Sequence, residues 1–440
     1  MLDKLEKILQ DRNVFLSGGA GVGKSFLTNQ LKFSYRKQNK KLVALGSSAL
    51  SAFNVGGVTL HSFFCLGRME NFEDLKNYDR LQKNKLKKLE KVLSKLDLII
   101  IDEISMVSAT IFDMVALRLK NSGFSGKILL VGDFFQLPPV VKEKQNSLFV
   151  NTYYAFASLF WEELRLKNVK LSVPKRTDNA EFYEHLSLLR EGYLREQTLD
   201  YFEKMLIKTW DLETLDDGFT LLCGINKRVN VINEQKLAKI NAPLLNFKAK
   251  FEKKDENLSD GQFMAWVSGL GILEELKIKV GARIIFCMNN FEQNYYNGEQ
   301  GIIEDIVEDE RGILLQIMKN NGQMILLEPY IFELSEFKEE GEELDLNIRA
   351  SVVQYPIKLA YAITIHKSQG MSIEKLVCDI DHIFENGQLY VALSRATNPQ
   401  SLKILYSKNW DFRSYFERAL KFDENVSCFY KENDFIDLEL

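Results

Sequence analysis

Residues 14–25 read Val-Phe-Leu-Ser-Gly-Gly-Ala-Gly-Val-Gly-Lys-Ser, an apolar run that passes directly into a glycine-rich loop ending in Lys24 and Ser25. That order is what a triphosphate asks of a polypeptide. Gly18, Gly19, Ala20, Gly21, Val22 and Gly23 let backbone N–H groups turn inward around phosphates, Lys24 reaches the β and γ oxygens, and the Ser25 hydroxyl helps hold Mg²⁺. The apolar spacing of Phe26-Leu27-Thr28-Asn29-Gln30-Leu31 predicts a helix that begins at the loop and turns its positive end toward phosphate charge. A glycine-rich turn can match such a pattern by chance, so the weight rests on the residues downstream of it.

A second piece sits at Leu98-Ile99-Ile100-Ile101-Asp102-Glu103, where an uninterrupted apolar run reads as a strand covered on both faces. Side chains at the carboxyl end of such a strand project into the crevice where ligands bind in open α/β sheets. Asp102 is the Mg²⁺ candidate, and Glu103 is the candidate general base for an attacking water. The plainer reading is a helix start, since Asp102, Ser105 and Ser108 all suit a cap. A third apolar run, Lys127-Ile128-Leu129-Leu130-Val131, leads into Gly132-Asp133-Phe134-Phe135-Gln136-Leu137-Pro138-Pro139. Gln136 both donates and accepts hydrogen bonds, so it can register a γ-phosphate or its water; the paired prolines alone would suit an ordinary turn.

The chain has 440 residues, 46% of them hydrophobic, enough for roughly two to four units that each bury a core. No run approaches the ~20 apolar residues of a membrane span, and Met1-Leu2-Asp3-Lys4 begins no signal peptide. The expectation is a cytoplasmic protein of prokaryotic type with no membrane partner. Its five cysteines lie far apart with no Cys-x-x-Cys pair, which favours reduced thiols over a disulfide, zinc or iron–sulfur site. Formal net charge is −4, so a nucleic-acid surface must come from local patches. Residues 76–95 carry a net +6, with Leu81, Leu86, Leu89, Val92 and Leu93 placed as the apolar stripe of a basic helix; a solvated face explains such a run equally well. Residues 333–345 carry a net −6, should avoid DNA, and read as a solvated loop.

The order of these motifs resembles the helicases of superfamily one B, and closely the Pif-one (petite integration frequency) family. Asp102-Glu103-Ile104-Ser105-Met106 looks like that family's second motif and residues 132–139 like its third. Leu359-Ala360-Tyr361-Ala362-Ile363-Thr364-Ile365-His366-Lys367-Ser368-Gln369-Gly370-Met371 resembles the fifth, and Gln388-Leu389-Tyr390-Val391-Ala392-Leu393-Ser394-Arg395 the sixth, both long and specific. Residues 54–64 and 296–301 also match, so the resemblance spans nearly the whole chain. Ser48-Ala49 stands where the family has Thr-Gly, Thr177 follows the fourth-motif Arg176 where Gln is usual, and Phe124-Ser125-Gly126 replaces Phe-Gly-Gly. No glutamine precedes the phosphate loop at the distance used for adenine recognition.

The resemblance implies an ATP- and Mg²⁺-dependent 5′-to-3′ DNA helicase, a DNA-stimulated ATP hydrolase that translocates on single-stranded DNA and unwinds duplex or structured DNA. Family-level roles are DNA repair, recombination, replication and telomere maintenance. Implied partners are single-stranded DNA and duplex or G-quadruplex junctions, with a monomer in the absence of nucleic acid. Lys24, Glu103, Gln136, Arg176 and Arg395 are the catalytic candidates; residues 18–25 with Phe26 and Gly370 would hold nucleotide, and Ser25 with Asp102 the metal. Ser48, Thr59, His61, Thr364, His366 and Lys367 are the strand contacts, hydroxyls and cations suited to a sugar–phosphate backbone. Without the motifs, His61 and His366 would read as hydrogen-bonded core histidines. A RecD- or Dda-like helicase of the same superfamily is the neighbouring alternative. An ATP-switched nucleic-acid clamp that remodels without separating strands is another, although Glu103 and both arginines complete a hydrolytic set.

The expected fold is α/β, two RecA-like doubly wound P-loop cores in tandem. Residues 1–63 and 96–165 form the first core, 64–95 a small inserted subdomain near the DNA fork, and 166–240 with 350–430 the second core. Residues 241–349 would be an inserted β-barrel, which the family resemblance implies to be of Src-homology-three type, and 431–440 a C-terminal tail. Arg176 and Arg395 then lie in the second core and the phosphate cradle in the first, which would tie hydrolysis to closure of a cleft.

Overall fold

The apolar runs that open the motifs become buried parallel strands. The structure, a computed structural model, describes residues 1–67, 69, 71–139, 153–209, 218–290, 292–310, 312–340 and 343–439. Two units make up the chain: the first is Met1–Lys175 with Leu334–Arg349 and Phe422–Leu440, the second Arg176–Glu333 with Ala350–Lys421.

In the first unit, β1 (Val14–Gly18), β2 (Leu42–Gly46), β3 (Val58–Thr59), β4 (Leu98–Asp102), β5 (Lys127–Gly132) and β6 (Lys167–Leu171) join Ile436–Asp437 in one seven-stranded sheet. The order is Ile436–Asp437, β6, β1, β5, β4, β2, β3, and every neighbouring pair is parallel. β1 and β4 are buried from end to end, as strands covered by helices on both faces must be. Register sets Ser17 opposite Gly132, Gly18 opposite Leu171, and Gly46 opposite Asp102, so the carboxyl ends of β1, β2, β4 and β5 share one edge. This is the doubly wound core that the sequence predicts.

Its boundaries differ from those expected. Residues 166–175 belong here because β6 pairs with β1, and residues 422–430 belong here because Phe429 packs on Phe15, Phe134, Phe156 and Trp161. Nor are residues 431–440 a loose tail. Ile436–Asp437 extends the sheet beside β6, and Leu438 N donates to Lys170 O at 3.1 Å.

The basic stretch is two helices, Phe72–Leu81 and Lys83–Leu93, where one was expected. Leu89, Val92 and Leu93 bury in the same hydrophobic core as Phe15 and Ile99, and Leu86 packs against it; Leu81 is 85% exposed and leaves the stripe. Arg118, from helix Ala109–Ser122, secures this region: its guanidinium pairs with Asp79 at 2.6 Å and donates to Phe64 O at 3.0 Å. Residues 64–95 therefore share the unit's core instead of forming a second one.

The second unit has a five-stranded parallel sheet in the order Ala362–Thr364, Thr220–Cys223, Leu376–Asp379, Leu402–Leu405, Leu206–Ile207. Beside it, Met324–Leu327, Gly312–Lys319, Gln300–Asp309, Arg283–Phe286 and Ile357–Leu359 pair antiparallel in that order. Among the described residues this pairing runs from edge strand Met324–Leu327 to edge strand Ile357–Leu359. Where it is described, the acidic stretch is strand in its backbone, within Tyr330–Glu340 and Glu343–Gln354, while residues 341–342 and the side chains of 336–346 lie outside the described residues. Among the described residues, no helix is long and apolar enough to cross a membrane.

Candidate nucleotide and nucleic-acid sites

The phosphate loop leaves β1 under close steric constraint. A Cβ on Gly18 would stand 2.6 Å from Leu171 O, and Gly23, at φ +90°, caps the helix Lys24–Lys37 in a conformation side chains rarely adopt. Lys24 Nζ donates to Gly18 O at 2.7 Å and Gly19 O at 2.9 Å, so the ammonium is held over the loop by the loop's own carbonyls. Thr28 and Lys32 follow at helical spacing. Thr28 Oγ1 donates to Lys24 O at 3.0 Å, and Lys32 Nζ donates to Val55 O.

Asp102 ends β4 only 8% exposed. Burial pushes its carboxyl up to about 7, with the Glu103 charge acting in the same sense; the Glu103 N–H, at 2.9 Å from Oδ1, and then Lys24 and Lys32 pull the other way. A buried carboxylate held at such a cost to its charge, with the Ser25 hydroxyl at the helix start, is an all-oxygen donor set of the type Mg²⁺ takes. Glu103 sits at φ +54°, left-handed backbone uncommon for a side-chain-bearing residue and concentrated at functional sites. The cap reading holds as well, at Ser108, which accepts from Ile111 N and starts Ala109–Ser122.

At the end of β5, Asp133 is wholly buried and organises the next loop. It accepts from Gln136 N at its carbonyl (3.0 Å) and from Gln136 Nε2 at its carboxylate (3.3 Å), which fixes the Gln136 amide. In this unit Lys32 lies outside the motifs, and Asp133 stands inside the third with no role that the sequence alone assigns to it. The i, i+4, i+8 series from Lys24 could have flagged Lys32.

Two of the three first-unit strand-contact candidates, Ser48 and Thr59, cap helices. Ser48 accepts from Ser51 N at 3.1 Å and Thr59 from Ser62 N at 3.2 Å, which leaves each hydroxyl proton to donate. His61 lies in the short helix that Thr59 starts, and burial holds its imidazole below the usual value. Phe26 is exposed beside the loop.

The remaining candidates are in the second unit. Thr364 Oγ1 accepts from Lys367 N at 3.4 Å, His366 Nε2 lies 2.8 Å from a Glu385 carboxylate oxygen, and Gly370 is left-handed at φ +80°. Arg395 is 1% exposed, its guanidinium donating to Val391 O (2.9 Å), Ser368 O (3.3 Å) and Ser394 Oγ (2.9 Å). Arg176 donates to Ser372 Oγ and Ser394 O, each at 2.8 Å. Burial and then the Arg395 charge bring Arg176 down to about 9.

Known proteins match this arrangement along its length. A family model described as PIF1-like helicase matches residues 4–199, and a model described as Helicase matches residues 287–409. A Campylobacter jejuni ATP-dependent DNA helicase Pif1 is 63% identical over 100% of this chain and 99% of its own. A Bdellovibrio bacteriovorus protein of the same name is 32% identical over 97% and 90%. Bacteroides sp Pif1 in complex with ADP-AlF4 superposes with a TM-score of 0.81 at 28% identity, covering 98% of this chain and 96% of that one. Bacteroides Pif1 bound to ssDNA gives 0.65 at 26%, with coverage of 98% and 96%. With the phosphate loop, the carboxylate pair and the glutamine loop at one sheet edge, and relatives matched from end to end, the chain belongs to the PIF1-like helicase family.

Proposed function

We propose that this chain is an ATP- and Mg²⁺-dependent DNA helicase, a hydrolase that moves 5′ to 3′ along single-stranded DNA and separates duplexes. The observation that carries this reading is the shared carboxyl edge of β1, β4 and β5, from which the phosphate loop, Asp102-Glu103 and Gln136 all emerge. Lys24 would exchange the Gly18 and Gly19 carbonyls for β and γ phosphate oxygens, and Ser25 and Asp102 would hold Mg²⁺, which when bound would supply charge to offset that of the phosphates. Glu103 orients water and accepts its proton as the water oxygen attacks the γ-phosphorus and the bond to the ADP oxygen breaks. Gln136 reports the γ-phosphate. Arg176 and Arg395, two cations held at Ser394, are the candidates to neutralise charge on the transferred phosphoryl group.

Ser48, Thr59, His61, Thr364, His366 and Lys367 would grip sugar and phosphate, a mode with little sequence preference. The same motor would work as a monomer at duplex and G-quadruplex junctions. Unwinding of matched duplexes bearing a 5′ tail, a 3′ tail or none, with ATP present, tests the reading. Only the 5′-tailed duplex should separate. Separation from a 3′ tail would reverse the direction, and DNA-stimulated hydrolysis with no separation of any substrate would favour the clamp.

A further inference from the structure

The segment Phe422–Leu440 lies beyond the last motif, and it carries Tyr430 into the first unit. The Tyr430 hydroxyl is 2.6 Å from Ser17 Oγ, one residue before the phosphate loop, and accepts from Phe134 N at 3.3 Å, at the head of Phe134-Phe135-Gln136. A phenol that accepts from an amide keeps its proton to donate to Ser17, so one orientation satisfies both bonds. Its ring stacks on Phe135 (4.7 Å, 18°) and on Phe435 (5.2 Å, 22°), which leaves the hydroxyl little freedom. Ser17 is buried. The same segment braces the loop's other flank: Glu439 Oε2 accepts from Ser172 N (3.0 Å) and Val173 N (2.6 Å), and Lys175 N donates to Gly21 O at 2.7 Å.

We propose that Tyr430 is a positioning residue for nucleotide hydrolysis, its hydroxyl tying the strand end that launches the phosphate loop to the loop that presents Gln136. The inference rests on the hydrolase reading of the same site. Small errors of placement between reacting groups cost large factors in rate; the sheet pairs Ser17 with Gly132, and beyond that pair this one oxygen bridges the two exits. Nothing in the six motifs requires it, because the bond is supplied from 413 residues away.

The test is steady-state, DNA-stimulated ATP hydrolysis by the full chain carrying Tyr430→Phe, which keeps both stacks and removes the hydroxyl. The kcat should fall about three- to tenfold, as loss of one ordering hydrogen bond allows, with KM for ATP equal to the parent's and the melting temperature lowered only by the few degrees (~2–4 °C) that one lost buried hydrogen bond costs. Ser17→Ala should lower kcat by a similar factor. The double variant should lose no more than the larger single loss, since both changes remove one bond. Unchanged kcat in Tyr430→Phe, a rise in KM for ATP with kcat held, or multiplied losses in the double variant would overturn the proposal. A parent that hydrolyses no ATP would overturn the hydrolase reading and this inference with it, an outcome visible before any variant is made.

Discussion

Arg176 and Arg395 hang from one residue: Arg176 donates to the Ser394 carbonyl at 2.8 Å and Arg395 to the Ser394 hydroxyl at 2.9 Å. Their like charges oppose each other, and an anion brought to the pair would relieve that repulsion. Arg395→Ala and Arg176→Ala should each bind ATP nearly as the parent does and lose hydrolysis by ~10³-fold or more, as other arginine fingers do. The double variant should fall far short of the product of the two losses, because groups acting on one transition state are not additive. Measured turnover in Arg395→Ala close to the parental rate would remove the pair from the chemistry.

Glu103 holds its carboxylate on left-handed backbone beside Asp102. Glu103→Gln keeps the side chain's length and loses the base, so hydrolysis should drop by ~10²–10⁴ while ATP and DNA remain bound. Parental turnover in that variant would reduce Glu103 to a structural role.

Lys32 is buried against the Val55 carbonyl, and burial, then Arg36, bring its ammonium down to about 8, with Asp102 pulling the other way. Between about 8 and the unfolded value near 10.5, the folded chain binds fewer protons here than the unfolded chain, so this group's contribution to stability rises with pH across that window. Below it, the buried charge weighs against folding in full. The melting temperature of Lys32→Met minus that of the parent should therefore be higher at pH 7 than at pH 9.5. A difference that does not change with pH would mean that Lys32 stays charged throughout.

Lys367 is the cation of the second-unit strand candidates, next to the Thr364 hydroxyl that accepts its backbone N–H. If it meets a phosphate, Lys367→Ala should weaken single-stranded DNA binding and lower the salt slope of log K by about one. Binding isotherms at several salt concentrations decide it; an unaltered slope would strike Lys367 from the contacts.

Whatever has a local cause is legible in the residues alone. Gly18, Gly23, Lys24 and Asp102 are required by chemistry within a few residues, and the runs at 14–18, 98–102 and 127–132 are apolar enough to be strands in nearly any context. The capping of Ser51 by Ser48 and of Ser62 by Thr59 is also local, yet hydroxyls inside helicase-like motifs point first to DNA. By contrast, the placing of Phe422–Leu440 depends on Phe429 and Tyr430 meeting rings from the other end of the chain, which no window of sequence contains. At 333–340 and 343–345, charge density hides the strands that the backbone forms there.

The first unit is sewn from both ends of the chain, and this orders its birth. Ser17 leaves the ribosome some 413 residues before its partner Tyr430, and β6 waits 267 residues, from Val169 to Ile436, for Ile436–Asp437 to cover its edge. Until then the nascent cradle carries an unpaired strand border and uncovered aromatic rings, the features that invite chaperones or wrong partners. The second unit must meanwhile fold with both ends tethered to an unfinished neighbour. A fragment of residues 1–175 should accordingly aggregate or bind a hydrophobic dye, and addition of a peptide spanning 422–440 should reduce that; a fragment that is monomeric and cooperatively folded by itself would show that the late segment is dispensable.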